Sequence, residues 1–470
     1  MKAQSLKLKA QSLEGFTLIE ALVLLFIFSL ITVTFYSLFS FGIRYIQDSK
    51  NRLGALAVAN EKMEIVRNLK YDDIGTVDGE VEGNIPQDET VIENGRQYNV
   101  HTLVEYVQDS FDGMYPNDTA FEDYKRVTVT ASWNTGGVSQ REVKLVSRFV
   151  PPGLEVANPG NGILSVNVFS DQPGGTGIPN SVVHISNPDT GLNTQKETDA
   201  SGNATFMGDK VTESIQKYEI TVTKTDYETV NTLPPYSISP FNPVDVHASV
   251  VIGSINVTNI VQNKLASLEI ATVDYLDQSI DDISFHLTGG RKIGTEVEMP
   301  NDPIYNLNTD SSTDSSGEKD FDRISPGQYK FYLASSVTDD YELIATDPSS
   351  SYEIIDGKEI YSTSLYSDQS LTWKVKLADK NITSIIISIL RSDDDSPISG
   401  AQVNLKNSFG YDRTQTTSAN GKVFFPTTSD PFQAETYDIK VTADGFKENN
   451  SQSTVNTNEL KVETIKLTAQ

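Results

Sequence analysis

Apolar and polar positions divide this chain into three regimes. From Ala21 to Ile43 no residue is charged, a run of 23. As a helix it would be roughly 35 Å long, enough to cross a bilayer core. Beyond it the apolar residues take a helical spacing: Leu53, Leu56, Ala57, Ala59, Met63, Val66 and Leu69, with Glu61, Lys62 and Arg67 between them. Tyr71-Asp72-Asp73-Ile74-Gly75 supplies a stop. One helix from Phe16 to about Leu69 is predicted, roughly 80 Å long. After the stop the period falls to two, in Tyr98-Val100 with Val104, Val127-Val129-Ala131-Trp133 and Val143-Leu145-Val146. These stretches predict a small antiparallel sheet on the upper half of the helix, spanning residues 71–150 and ended by Pro151-Pro152-Gly153.

The remainder reads as a degenerate repeat. Its first copy has Leu164-Val166-Val168, Ile178-Pro179-Asn180-Ser181, Val183 and Ile185, then Asp199-Ala200-Ser201-Gly202, Phe206 and Tyr218-Ile220-Val222. The last copy has Ile385-Ile387-Ile389, Ile398-Ser399-Gly400-Ala401, Val403-Leu405, Ser418-Ala419-Asn420-Gly421, Val423-Phe424-Phe425 and Tyr437-Ile439-Val441. A weaker middle copy keeps the frame with Leu268-Ile270, Ile283-Phe285-Leu287, Ser316-Gly317 and Tyr329-Phe331-Leu333. The turn glycines at 202, 317 and 421 are 115 and then 104 residues apart. Each copy closes on a further alternating strand: Val244 to Val250, Leu371 to Leu377 and Val462 to Leu467. Short alternating strands between turns predict three β-sandwiches in tandem, over residues 162–256, 262–378 and 382–470.

Composition narrows the function classes. The net charge of −27, from 64 acidic and 37 basic side chains, repels polyanions and makes nucleic acid a poor partner. With no cysteine in 470 residues, disulfides, thiolate metal sites and cysteine catalysis are excluded. The long apolar run exceeds the usual core of a signal peptide, so it predicts an anchor that stays. Positive charge flanks it on both sides (Lys2, Lys7 and Lys9 before, Arg44, Lys50, Arg52 and Lys62 after) and does not decide its orientation.

Gly15-Phe16-Thr17-Leu18-Ile19-Glu20 lies where the span begins, and a carboxylate there is costly unless paired. This hexapeptide resembles the cleavage-methylation motif of type IV prepilins and type II secretion pseudopilins. The resemblance implies that residues 1–15 are a cytoplasmic leader and that a prepilin peptidase cuts after Gly15. Phe16 then becomes the N-methylated N-terminus, and Glu20 is the fifth mature residue. In a filament Glu20 would meet the ammonium of a neighbouring subunit's Phe16, favouring one axial register. The implied architecture is an α+β pilin, with a helix over 16–70 held in the membrane through 16–43 and a β head over 71–150. The implied topology is a single pass through the cytoplasmic (inner) membrane with the C-terminal region outside, then display at the cell surface or on a pilus. Other pilins are the expected partners. Many major pilins carry a proline where Ser37 stands, which leans toward a minor pilin or pseudopilin. The repeats resemble carboxypeptidase-regulatory-like, or prealbumin-like, Ig-like modules, whose relatives space, stiffen or bind. The Lys–Asn crosslink of some adhesin relatives needs a lysine on each first strand; Leu164 to Phe169 and Ile382 to Leu390 have none, and only Lys264 precedes the middle copy.

Candidate chemistry is sparse. His101, His184, His247 and His286 each sit alone in a strand-like stretch, without metal-ligand spacing. No phosphate-binding loop, G-x-S-x-G or H-E-x-x-H occurs, and no enzyme is expected. Two acidic clusters, Asp109, Asp112, Asp118 and Asp123, and Asp310, Asp314, Asp320 and Asp322, could offer oxygen ligands to calcium or be solvated loops; neither has EF-hand spacing. Tyr332, Tyr341, Tyr352, Tyr361 and Tyr366 are open to two readings, a recognition surface or strand packing. The expected function is a minor type IV pilin-like or pseudopilin-like filament subunit displaying a β-sandwich stalk, at the tip, for adhesion or ligand binding. The alternative is a single-pass anchored surface adhesin or binding protein that is not assembled. The ligand itself is not legible.

Overall fold

The computed structural model describes residues 18–109, 122–135, 138–152, 160–171, 175–298, 302–428 and 432–470. Two compact units result: Met1–Asn158 with Met207–Lys210, and Pro159–Phe206 with Val211–Gln470.

In the first unit, helix α1 runs from Leu18 to Arg67, about 75 Å at the usual rise. Its last third packs on an antiparallel sheet of β1 (Asp88–Glu93), β2 (Arg96–Val107), β3 (Tyr124–Thr135) and β4 (Val138–Phe149), in that spatial order. The helix face that meets the sheet is Ala55, Val58, Ala59, Met63 and Val66. Leu53 and Leu56, which helical spacing alone assigns to the same stripe, are exposed. Close approach explains the choice. A Cβ on Gly54 would lie 2.3 Å from the Tyr98 hydroxyl oxygen, and that hydroxyl donates to the Asn51 carbonyl at 3.0 Å. Only small side chains fit where the backbone comes this near. Strand β1, Asp-Glu-Thr-Val-Ile-Glu, carries no alternating apolar signal, and the sequence gives no warning of it.

One buried cation ties the loop after the helix to the sheet. The Lys125 ammonium donates to the carbonyls of Tyr71 at 2.9 Å and Ile74 at 2.8 Å and lies 4.6 Å from the Tyr71 ring centroid. Burial lowers its pKa against the raising influence of Asp209 and Asp72.

The second unit consists of three β-sandwiches with one topology. In each, the first strand lies parallel to the last: Gly162–Phe169 with Ile255–Val261, Ala266–Val273 with Ser370–Asp379, and Ser384–Arg391 with Leu460–Leu467. A further strand flanks the first: Asn203–Gly208, Glu318–Ile324 and Lys422–Phe425. The facing sheet holds a hairpin and a returning strand, Ser214–Thr223, Gly327–Leu333 or Thr436–Thr442. Alternate residues of both sheets fill each core, among them Val166, Ile185 and Phe206, then Ile270, Phe331 and Trp373, then Ile387, Phe425 and Ile439.

Two differences from the sequence reading have local causes. The parallel closing strand of the first sandwich is Ile255–Val261, which runs past residue 256, whereas Ala248–Val250 pairs in the other sheet. Its outward alternation leaves Ile255 and Val257 exposed, so the strand lacks the buried signature of its counterparts. The middle copy is weak in sequence because it carries an insertion. A helical turn, Ser335–Thr338, and strands Tyr341–Asp347 and Ser351–Ile355 lie between its returning strand and its end.

The repeated turn has a physical basis. Gly202, Gly317 and Gly421 hold φ of +84°, +77° and +73°. Their carbonyls accept the N–H of Val168, Thr272 and Ile389, each at 2.8 Å. The threonine four positions earlier works in the same place. Thr198 donates to the Ile178 carbonyl at 2.6 Å and accepts from the Ser181 N–H at 2.9 Å. Thr417 repeats this with Ile398 and Ala401 at the same distances, and Thr313 accepts from the Ile283 N–H at 3.1 Å. Three buried tyrosine hydroxyls complete the pattern: Tyr218, Tyr329 and Tyr437 donate to the carbonyls of Thr212, Ser325 and Gln433 at 2.7, 2.6 and 3.0 Å.

A Cβ on Gly421 would come 2.7 Å from the Ile389 carbonyl oxygen. Gly421→Ala should therefore destabilise the third sandwich by about 1–3 kcal/mol. Hydrogen exchange should quicken across Ile385 to Ile389, and unchanged protection there would refute this account of the turn.

Candidate functional site: the apolar helix and the sandwich junctions

The first half of α1 presents apolar side chains on all sides. Leu22, Phe26, Phe28, Ile31, Phe35 and Phe39 are exposed, and the span has a mean hydropathy of 2.4 with none of it covered by protein. Its serine and threonine hydroxyls from Ser29 to Ser37 are used internally. The hydroxyls of Ser29, Thr32, Thr34 and Ser37 donate to the carbonyls of Phe26, Phe28, Leu30 and Val33 at 2.7–2.9 Å. A helix whose backbone and hydroxyls are satisfied within itself suits a hydrocarbon surrounding. The helix carries no proline, and Gly42 lies within it. Further along, Asp48 pairs with Arg141 of β4, and Lys62 pairs with Glu89 of β1 at 2.7 Å.

Of the processing and assembly residues, Glu20 belongs to α1, while Gly15 and Phe16 lie outside the described residues. In the first acidic cluster, Asp112 and Asp118 also lie outside them; Asp109 offers its N–H to the Asp123 carboxylate. The second cluster is dispersed. Asp310 pairs with His286 at 2.7 Å, Asp314 accepts the Ser316 and Glu318 N–H groups of its own turn at 2.8 and 3.2 Å, and Asp320 and Asp322 stand on another strand. Among the described residues no three candidate ligands gather around a common point. The histidines have ordinary partners: His101 meets Asp88, His184 meets Asn193 and His247 meets Thr232. The tyrosines divide, with Tyr361 in the core, Tyr341 and Tyr352 packed against it and Tyr366 exposed.

Sequence reasoning missed the junctions between sandwiches, which share a device. At the first, Arg291 of the second sandwich reaches Glu228 at 3.0 Å and Asp245 at 2.8 Å, with Glu228 only 3% exposed. It also donates to the Val261 carbonyl at 2.8 Å. The connecting Gln262 is fully buried and bonds Ser181 and the Glu228 carbonyl, both at 2.9 Å. At the second, Lys422 of the third sandwich meets Glu359 at 2.6 Å and Glu342 at 2.9 Å. Asn420 beside it donates to the Tyr361 hydroxyl at 2.9 Å and the Ile344 carbonyl at 3.0 Å. Ile344, Ala378, Ile386, Phe424 and Leu460 form an apolar cluster spanning the same junction. In both cases a cation, largely covered at Arg291 and buried at Lys422, is held by two carboxylates of the preceding sandwich. The sequence signal was present in Lys422-Val423-Phe424-Phe425, a charge heading an otherwise apolar strand that is buried throughout.

No protein-family model matches the chain, and no curated protein matches it. Among solved structures it is similar to the Bacillus anthracis TIE protein, with 15% identity, 82% of this chain and 76% of that one covered, and a TM-score of 0.19. A streptococcal ancillary pilin gives 13% identity, 66% and 99% coverage and a TM-score of 0.18. BcpA, the major pilin subunit of Bacillus cereus, gives 11%, 66%, 100% and 0.16. Scores this low carry no argument about function, which rests on the chain's own residues.

Burial alone would lower the Lys422 pKa; Glu359 and Glu342 outweigh it and hold the group above its ordinary 10.5. A raised lysine contributes its full stabilisation below that ordinary value and loses it as pH climbs through the folded one. Lys422→Met should cost about 2 kcal/mol at neutral pH, less than a wholly buried pair because both carboxylates keep some solvent. It should also flatten the alkaline loss of stability, as read by urea denaturation at neutral and strongly alkaline pH. Equal alkaline loss in both proteins would remove Lys422 from the account.

Proposed function

We propose that the chain is a minor type IV pilin-like or pseudopilin-like filament subunit, cut by a prepilin peptidase after Gly15 and methylated on Phe16. One combination carries this reading: the Gly15–Glu20 hexapeptide runs into a helix that is uncovered along its first half and forms the spine of an antiparallel sheet along its last third. Before assembly the uncovered half lies in the cytoplasmic membrane with the C-terminal region outside. In the filament the same surface packs against the helices of other pilins. Glu20 then accepts the Phe16 ammonium of a neighbour, since an unpaired carboxylate in a dry bundle is costly. The β-sandwiches serve a non-catalytic role, adhesion or ligand binding, at or near the tip, because appending three sandwiches to every subunit would crowd a helical shaft. The alternative is an anchored surface adhesin that stays unassembled, for which the same apolar surface is sufficient.

Co-expression with a prepilin peptidase, followed by mass spectrometry of the mature N-terminus, separates the two. The filament reading expects a start at Phe16 with one added methyl group, and Glu20→Ala should be processed yet fail to enter filaments. An intact N-terminus under those conditions leaves the anchored adhesin.

A further inference from the structure

A cleft of about 520 Å³ opens where the first and second sandwiches meet, with Lys224, Tyr227, Asn306, Arg323 and Ser325 in its wall. A second hollow of about 450 Å³ lies on the other side of Tyr227 and includes Lys264 and Asp368. Sites of this size favour the seams between modules. We infer that the cleft at Tyr227 binds a neutral oligosaccharide.

Packing accounts for some of this wall, and comparison with the third sandwich shows how much. Phe446 occupies the position of Tyr227. Each closes the same turn, N–H to carbonyl at 3.1 Å, and each bridges a residue just past its closing strand, Ala469 or Lys264. Packing thus explains a ring at residue 227. It does not explain the hydroxyl, which makes no hydrogen bond among the described residues. Nor does it explain Asp226, at φ +65° where the third sandwich has Gly445 at +80°. Asp226 pairs with Arg323 at 2.9 Å, and Arg323 itself holds φ +54°, a costly conformation for a bulky residue. The pair is 63% and 72% exposed, so it adds little to the junction, which the largely covered Arg291 already fastens. Polar groups held at a cost, and contributing little to stability, are arranged around an aromatic ring.

The ligand class follows from the mix. In the cleft wall the cationic donors Lys224 and Arg323 stand with the polar Asn306 and Ser325, and Asp226 pairs with Arg323, so hydrogen bonds of both kinds are offered without one dominant sign. A chain of net charge −27 repels polyanions at range. The Lys224 ammonium lies 4.9 Å from the Tyr227 ring centroid, so a ligand dense in hydroxyls and uncharged, reaching the Tyr227 hydroxyl rather than the face of its ring, meets both conditions. This inference rests on the proposed function only in taking the β region to be the displayed, ligand-facing portion.

The full chain in detergent micelles would be titrated calorimetrically with oligomers of glucose, of galactose and of N-acetylglucosamine, and with oligogalacturonate as the acidic probe. One neutral series should bind. Tyr227→Phe, which keeps the ring that Phe446 supplies in the third sandwich, and Arg323→Gln should each weaken it about tenfold with unfolding curves unchanged. Binding of none of the neutral series, binding of the acidic probe alone, or affinities indifferent to both variants would overturn the inference. Reading the mature N-terminus of the same protein co-expressed with the peptidase keeps the outcomes apart. An unprocessed chain that binds overturns the filament reading alone, and a processed chain that does not bind overturns this inference alone.

Discussion

A helix that must satisfy two surroundings along its length sets the terms for the first unit. From Ala21 to Ile43 α1 carries no charge, and Ser29, Thr32, Thr34 and Ser37 fold their hydroxyls back onto the preceding turn. Where it meets the sheet it needs the opposite arrangement, an apolar stripe on one side and charges on the others. Small residues at 54, 55 and 59 let β2 and β3 come close, and Lys62 and Asp48 reach the outer strands. The change falls between Ile46 and Asn51, within unbroken helix. A shift of the sheet along the helix would set it against large side chains in one direction and lose its apolar stripe in the other.

The second unit solves one problem three times. Each sandwich must reverse its chain beside the end of its first strand, and each does so with a left-handed glycine whose carbonyl continues that strand's hydrogen bonding. Around it a threonine hydroxyl satisfies backbone groups that the turn would otherwise strand, and a buried tyrosine does the same for the loop ahead of the returning strand. These few positions persist while the remainder diverges, because a core accepts many apolar substitutions of similar volume and a backbone acceptor accepts few alternatives.

What can be read from the sequence is what has a period. The uncharged run, the four-stranded head apart from β1, and the three sandwiches follow from spacing alone. The threonine ahead of each turn, Thr198, Thr313 and Thr417, stands directly before Asp199, Asp314 and Ser418; it is legible once the turns are aligned, although alternation does not single it out. The junctions are legible only as a hint, the charge of Lys422 heading an apolar strand; its partners lie 63 and 80 positions away, and no local pattern names them. Spacing misassigns the buried face of α1 at Leu53 and Leu56 because hydrophobicity marks which residues seek cover, while the distance to the sheet decides which fit. Gly15 and Phe16 are known here only as sequence, and Glu20 only as a member of the helix.

The parallel pairing of first and last strands has a mechanical consequence. Ile163 stands beside Ile255 and Phe169 beside Val261, so each sandwich receives the chain at one end of this ladder and releases it at the other. Tension along the chain therefore slides the two strands past one another and loads their cross-strand bonds together, where a hairpin pulled at its open end would unzip bond by bond. Resistance of this kind depends on the barrier to unfolding rather than on equilibrium stability. A body carried outside a cell and tugged through its own backbone would give way late and all at once, one sandwich at a time.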